Sequence, residues 1–201
     1  MKSLGNELIY EIINSEEKEF LAAELEMLIF PNCADYTVFN SDYKNDKPYY
    51  FVKFKDEIIG ITGINESDII GEETTAWLGV IGIINKYRGK GLGKKILLDI
   101  FNDARKRGYE TLRILLLKNK YKEAFEFFSK NMDIIENYTK ENFNDEIVIF
   151  SKSLTKYKVE PFDDKNLFLK EKQKINNKIL LNNIRQGEKI KNFLKDKNIL
   201  N

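Results

Sequence analysis

Arg88-Gly89-Lys90-Gly91-Leu92-Gly93-Lys94 alternates glycines with basic residues, immediately before a run with helical periodicity. The first N–H groups of a helix have no intrahelical acceptor, and the helix dipole adds positive potential there. Glycines let the backbone curl around an anion without a side chain in the way. The segment therefore predicts an anion site at a helix N-terminus, with Arg88, Lys90 and Lys94 adding charge. A dinucleotide fingerprint begun at Gly89 needs a glycine at position 94, where Lys94 stands. A P-loop needs Ser or Thr after Gly93-Lys94, where Lys95 stands.

The elements that position this loop follow from hydropathy spacing. Leu8 to Ile13 reads as a strand. A helix follows, with Asn14 as N-cap, Glu17 at capping-box spacing, a stripe of Leu21, Leu25, Leu28 and Ile29, and Pro31 as the stop. Tyr49 to Phe54 and Ile58 to Ile64 read as a hairpin joined by Lys55-Asp56-Glu57. Thr74 to Ile84 is a long apolar strand, and Gly79 and Gly82 within it predict a bulge or a close approach by another backbone. The helix over 92–107 carries Leu92, Ile96, Leu97, Ile100, Phe101 and Ala104 on one stripe, with Lys94, Lys95, Asp99 and Asp103 turned away and Gly108 at its end. Thr111 to Leu117 reads as a strand buried on both faces. A helix over Tyr121 to Lys130 and strands over Asp133 to Tyr138 and Glu146 to Leu154 complete the order β-α-β-β-β-α-β-α-β-β. Hairpins alternating with helical crossovers require a mixed sheet, an α+β (mixed α/β) fold.

In that setting Arg88-Gly89-Lys90-Gly91-Leu92-Gly93 resembles the Arg/Gln-x-x-Gly-x-Gly/Ala pattern of the GNAT acetyltransferase superfamily. Asn119 and Ala124 are similar to the Asn-x-x-x-x-Ala stretch that opens the family's next helix. Asn85 stands where the family usually has proline. The resemblance runs over residues 7 to 154, most strongly 75 to 130. It implies a GNAT fold: a central mixed, twisted sheet of about six to seven strands flanked by helices. It also implies acetyl-CoA as cosubstrate, with the pantetheine arm along Ile81, Gly82 and Ile83. The pyrophosphate would rest on Arg88, Gly89, Lys90, Gly91, Leu92, Gly93 and Lys94, and Asn119 would bond near the arm. A tyrosine that protonates the leaving thiolate in many relatives falls at Phe128, which has no hydroxyl. Tyr121, Tyr138 or a water is then the candidate acid. Glu72 and Glu73, before the strand, and Asp35 and Asp42, in the 31–48 loop, are candidate bases. Trp77 is either core or a wall of the acceptor pocket.

Composition narrows the chemistry. The chain of 201 residues has no histidine, a single cysteine (Cys33) and a net charge of +1. Histidine-dependent triads and histidine metal sites are excluded, and no metal is expected. One cysteine forms no internal disulfide, and a cytoplasmic setting is expected. Residues 1–155 form the expected transferase domain, and 156–201 a basic, Lys/Asn-rich helical tail with 12 Lys+Arg against 6 Asp+Glu. The tail is thus +6 and the rest −5, so nucleic acid is an unlikely partner for the whole and no membrane span is expected. Two apolar stripes, Ile175-Ile179-Leu180-Ile184 and Ile190-Phe193-Leu194, predict tail helices that pack on the domain or on a second copy, a homodimer, with contact to RNA or a ribosome as the alternative. The expected function is acetyl transfer to a primary amine of a small molecule or a protein in a ternary complex. A non-catalytic acyl-CoA sensor and another nucleotide-binding α/β protein are the alternatives.

Overall fold

A computed structural model of the chain describes residues 7–31, 49–67, 72–138 and 146–162. Asp35, Asp42, Cys33 and the two tail stripes lie outside the described residues. Seven strands form one sheet: β1 (Leu8–Ile12), β2 (Tyr49–Phe54), β3 (Glu57–Glu66), β4 (Thr75–Ile83), β5 (Thr111–Leu117), β6 (Ile134–Tyr138) and β7 (Ile147–Ser153). Among the described residues three helices join them, α1 (Glu16–Ile29), α2 (Leu92–Lys106) and α3 (Lys122–Ser129), with a short 3-10 turn at Asn85–Tyr87. Strand order is β1-β2-β3-β4-β5-β7-β6, and only β4–β5 is parallel. Both the mixed sheet and the element order agree with the sequence expectation, with bounds shifted by one or two residues.

The local chemistry explains most of these elements. Lys55 and Asp56 form the β2–β3 turn with φ of 51° and 63°, so Glu57 already belongs to β3. Such a two-residue turn matches the strand twist of a hairpin. Ser15, not Asn14, caps α1: its Oγ accepts from the Lys18 N–H at 3.4 Å, which leaves no place for the capping box. The stripe on α1 is also rotated. Ala22, Ala23, Leu25, Glu26 and Ile29 are buried, whereas Leu21 and Leu28 are exposed. The two alanines let the helix approach the sheet closely, and a stripe judged from the leucines misses them.

Two apolar clusters lie on opposite faces of the sheet. Under α2 and α3, Ile96, Leu97, Phe101 and Phe128 pack on Leu112, Ile114, Val148 and Phe150. Under α1, Ala22, Leu25 and Ile29 pack on Tyr49, Phe51, Ile61 and Val80. Asp99 does not simply turn to water, because it accepts the Tyr10 hydroxyl at 2.7 Å. Burial and the nearby Asp99 charge hold that phenol well above its ordinary range.

Strand β5 is buried throughout on one face only, not on both as its apolar content suggests. On the other face Leu115 is 41% exposed and Arg113 is buried. Arg113 Nε lies 2.9 Å from Glu72 Oε1, without an aligned N–H, and its Nη1 donates to Ser151 Oγ at 2.6 Å. Its Nη2 donates to the Glu160 carbonyl at 3.2 Å, and its guanidinium lies 5.3 Å from the Phe162 ring centroid. Phe162 also meets Trp77 edge-on and gives its N–H to Glu136. Residues 156–162 thus stay on the sheet, and Val159 and Phe162 are both buried. Glu136 Oε2 lies farther off, 3.9 Å from Nη1, and a buried arginine that loses its nearer carboxylate is strongly destabilised. Glu72→Ala is expected to lower the unfolding free energy by about 3 kcal/mol, read by urea denaturation.

Candidate functional site

The glycine loop folds as its composition suggests. Gly89 and Gly91 have φ of +72° and +76°, and Gly91 is the N-cap of α2 in the left-handed region. An L side chain there would cost about 1–2 kcal/mol. A Cβ at either glycine meets nothing within 4 Å, so the space above the loop is open. The first intrahelical bond runs from Lys95 N–H to Gly91 O at 3.1 Å. The N–H groups of Leu92, Gly93 and Lys94 precede that bond and lie at the positive end of the helix. No acidic residue occupies the first turn.

The loop opens onto a cleft of about 670 Å³, within the range of small-molecule sites. The cleft exists because β4 and β5 part. Their parallel register holds only for Thr75↔Thr111, Ala76↔Leu112 and Trp77↔Arg113. Beyond Trp77, β4 pairs with β3 alone. Ile84 N–H bonds Ile59 O at 2.9 Å, and Gly82 stands opposite Ile61. Alternation then turns the N–H and C=O of Ile81 and Ile83 toward the gap. Gly79 has no partner, because Gly63↔Val80 is followed by Ile64↔Leu78. It is the bulge expected from the strand glycines. The close approaches at Gly79 and Gly82 come from side chains, not backbone. A Cβ on Gly79 would lie 2.1 Å from the Tyr49 hydroxyl, and one on Gly82 would lie 2.7 Å from Ile29 Cγ2.

Several residues singled out from sequence meet here. Ile81, Gly82, Ile83, Arg88, Gly93 and Asn119 line the cleft, as do Tyr121, Ala124 and Phe128. Gly89, Lys90, Gly91 and Leu92 lie between Arg88 and Gly93, with Lys94 next, at its mouth. Phe128 is buried against Phe127 and Phe150, so the slot expected to carry a hydroxyl is aromatic core. Tyr121 precedes α3, its N–H bonded to Leu117 O at 3.0 Å. Other candidates lie elsewhere. Glu72 is tied to Arg113 and Glu73 is exposed, both before the start of β4. At ~3.3 Å per residue, β4 holds them roughly 25 Å from Ile83. Trp77 belongs to that same closed end, donating to Ser67 Oγ at 3.2 Å and meeting Phe162 edge-on. It is a packing residue there. Tyr138 ends β6, and its side chain lies outside the described part.

A polar cluster that sequence reasoning missed covers the bulge. Tyr49 donates to Asn65 Oδ1 at 3.3 Å, and Asn65 Nδ2 lies 3.2 Å from the same hydroxyl. Burial pushes the Tyr49 hydroxyl up to about 12, with the Asn65 bond opposing and the charge of Glu26 adding to the rise. Glu26 itself is 3% exposed. The available signal was its place on α1 beside Leu25 and one turn from Ala22, on the buried stripe. At the mouth, Glu57 binds Lys86 and accepts the Tyr87 hydroxyl, which pins the turn before the loop to the β2–β3 hairpin.

The geometry is thus a parted parallel strand pair with a glycine-capped helix start at its mouth. The chain belongs to the acetyltransferase (GNAT) family, whose model matches residues 8–133. No curated protein matches it. Among solved structures it is similar to a GNAT-family protein from Desulfovibrio desulfuricans, at 16% identity and a TM-score of 0.59, over 74% of this chain and 100% of that one. It is also similar to the ribosomal-protein-S18-alanine N-acetyltransferase from Escherichia coli, at 14% identity and a TM-score of 0.56, over 79% of this chain and 99% of that one. A third likeness is to the IAA acetyltransferase from Bacillus cereus, at 16% identity and a TM-score of 0.51, over 73% and 99%. At such identities the likeness carries the fold. Family membership supports acyl transfer from an acyl-CoA in general terms. Among the described residues no helix is long and apolar enough to cross a membrane.

The Lys86 and Tyr87 contacts hold the Glu57 carboxyl below its ordinary value of 4.5, the Lys86 bond contributing most. A depressed folded-state value means that the tether is present above pH 4.5 and is lost as pH falls through that lower value. The thermal midpoint of Glu57→Gln is expected to fall less than that of wild type between pH 5 and about pH 3, in paired melts at matched salt.

Proposed function

We propose that the protein transfers the acetyl group of acetyl-CoA to a primary amine of a small molecule or protein, by direct attack within a ternary complex. The observation that carries this reading is the parting of β4 from β5 after Trp77, with the start of α2 at the open end. An extended pantetheine arm would bond to the gap-facing N–H and C=O of Ile81 and the N–H of Ile83 while its diphosphate rests on the N–H groups of Leu92, Gly93 and Lys94. The thioester would then lie near the Gly79 bulge, about 13 Å along β4 from Ile83.

The amine nitrogen attacks the thioester carbonyl, the C–S bond breaks, and the thiolate takes a proton. The amine must first be neutral, since an ammonium has no lone pair. Glu26, buried in the electrostatic neighbourhood of Tyr49, is assigned the amine proton, received through the hydroxyls or water at the bulge. Tyr121, on the α3 side of the cleft, is assigned the proton delivered to the thiolate. A backbone N–H of the bulged strand would meet the oxyanion. No covalent enzyme intermediate is needed.

A second reading, a non-catalytic acyl-CoA sensor, is favoured by the buried Phe128 in the slot where relatives carry tyrosine. Calorimetric titration with CoA, acetyl-CoA, NAD and ATP tests the cleft: only the two CoA forms should bind, and no heat at millimolar CoA would end both readings. Turnover across an amine panel separates them, because the sensor binds without turnover. With a productive amine, Glu26→Gln and Tyr121→Phe should each lower turnover at least about 100-fold, with CoA affinity kept within about twofold.

A further inference from the structure

We propose that Arg88 is a positioning residue and not a phosphate ligand: its guanidinium clamps the C-terminal turn of α1 to the end of β4 and so sets the width of the carrier cleft. The inference rests on the acyl-CoA reading of that cleft for its consequence, though not for its geometry.

Each of the three guanidinium nitrogens of Arg88 donates one bond to protein. Nε donates to Ile83 O at 3.0 Å, Nη2 to Ile29 O at 3.2 Å, and Nη1 to Glu123 at 3.2 Å. The Ile29 contact answers a local deficit. The last carbonyls of a helix lack partners and carry the negative end of its dipole. Helix α1 has no basic residue in its last turn. Phe30 N–H turns back to Glu26 O at 2.7 Å, and Pro31 has no N–H to give. Arg88, 59 residues away in sequence, supplies the missing cation.

The same contact shapes the cleft. Ile29, Phe30 and Pro31 line it, as do Gly82 and Ile83. Gly82 lets the two parts close: a Cβ there would lie 2.7 Å from Ile29 Cγ2 and 2.8 Å from the Phe30 ring. Arg88 then bridges the Ile29 and Ile83 carbonyls in one rigid fork. An ammonium is a point charge and cannot reproduce that fork. Charge for the diphosphate falls to Lys90, Lys94 and the main-chain N–H groups of the loop. The pair with Glu123 contributes little, since the Glu123 side chain is 89% exposed.

The test compares Arg88→Lys with Arg88→Met, the first guarding against a fold lost in the second. Amide hydrogen exchange at Ile29 and Phe30 is measured without ligand, and CoA affinity by titration at two salt concentrations. Both variants should exchange at least about tenfold faster at these amides and bind CoA at least about tenfold more weakly. The salt dependence of affinity should stay as in wild type, whereas Lys94→Met should flatten it. Wild-type exchange in Arg88→Lys, or wild-type CoA affinity in that variant, overturns the clamp and restores a simple phosphate contact. If wild type itself fails to bind CoA, the acyl-carrier reading falls, and the exchange of the ligand-free proteins still decides whether the clamp exists.

Discussion

One break in hydrogen bonding organises this molecule: β5 stays beside β4 for three register pairs and then leaves it. An interior strand with one edge unpaired presents N–H and C=O groups that need partners. Here those groups belong to Ile81 and Ile83 and face a cleft instead of a neighbouring strand, the Ile83 carbonyl being met by Arg88 Nε at 3.0 Å. Everything assigned to function gathers around that opening. The bulge at Gly79 bends the strand near where the gap begins, and the left-handed Gly91 starts a helix where it ends.

The two ends of β4 use charge in opposite ways. At the closed end, Arg113 is buried among Glu72, Ser151, Glu160 and the Phe162 ring, and its charge is answered within the protein. A residue so engaged seals the sheet where the strands still pair. At the open end, Lys90 and Lys94 remain exposed beside main-chain donors. An acidic residue such as Glu72 is drawn to the first environment by its partner, however promising its position in sequence. The segment 159–162 takes part in the same closure, so the fold continues past the last strand.

The site therefore has an aromatic wall and a polar one. Phe127 and Phe128 bring aromatic surface from α3, and Phe127 lies close to where a Cβ on Gly93 would sit. From the other face of the sheet come the tip of α1 and, over the bulge, the Tyr49–Asn65 pair. Burial keeps the Tyr49 hydroxyl protonated, able to donate to Asn65 and to accept from it. Proton chemistry on a chain without histidine falls to carboxylates, phenols, amines or water.

What the amino-acid sequence determined by itself is whatever depends on neighbours a few residues apart. Strand and helix order, the glycine conformation of the 88–94 loop, the stripe on α2 and the irregularity at Gly79 are all local, because φ preferences and hydropathy period act over one or two turns. The conformation of the glycine loop was legible for that reason. Tertiary structure decided the partners: Glu72 with Arg113, Arg88 with Ile29 O, Tyr49 over Gly79, and Glu26 rather than Leu28 on the buried face of α1. Each joins elements whose meeting depends on strand register and helix rotation. A side chain's chemistry there is set by what burial brings beside it, and one sequence read in order does not contain that distance.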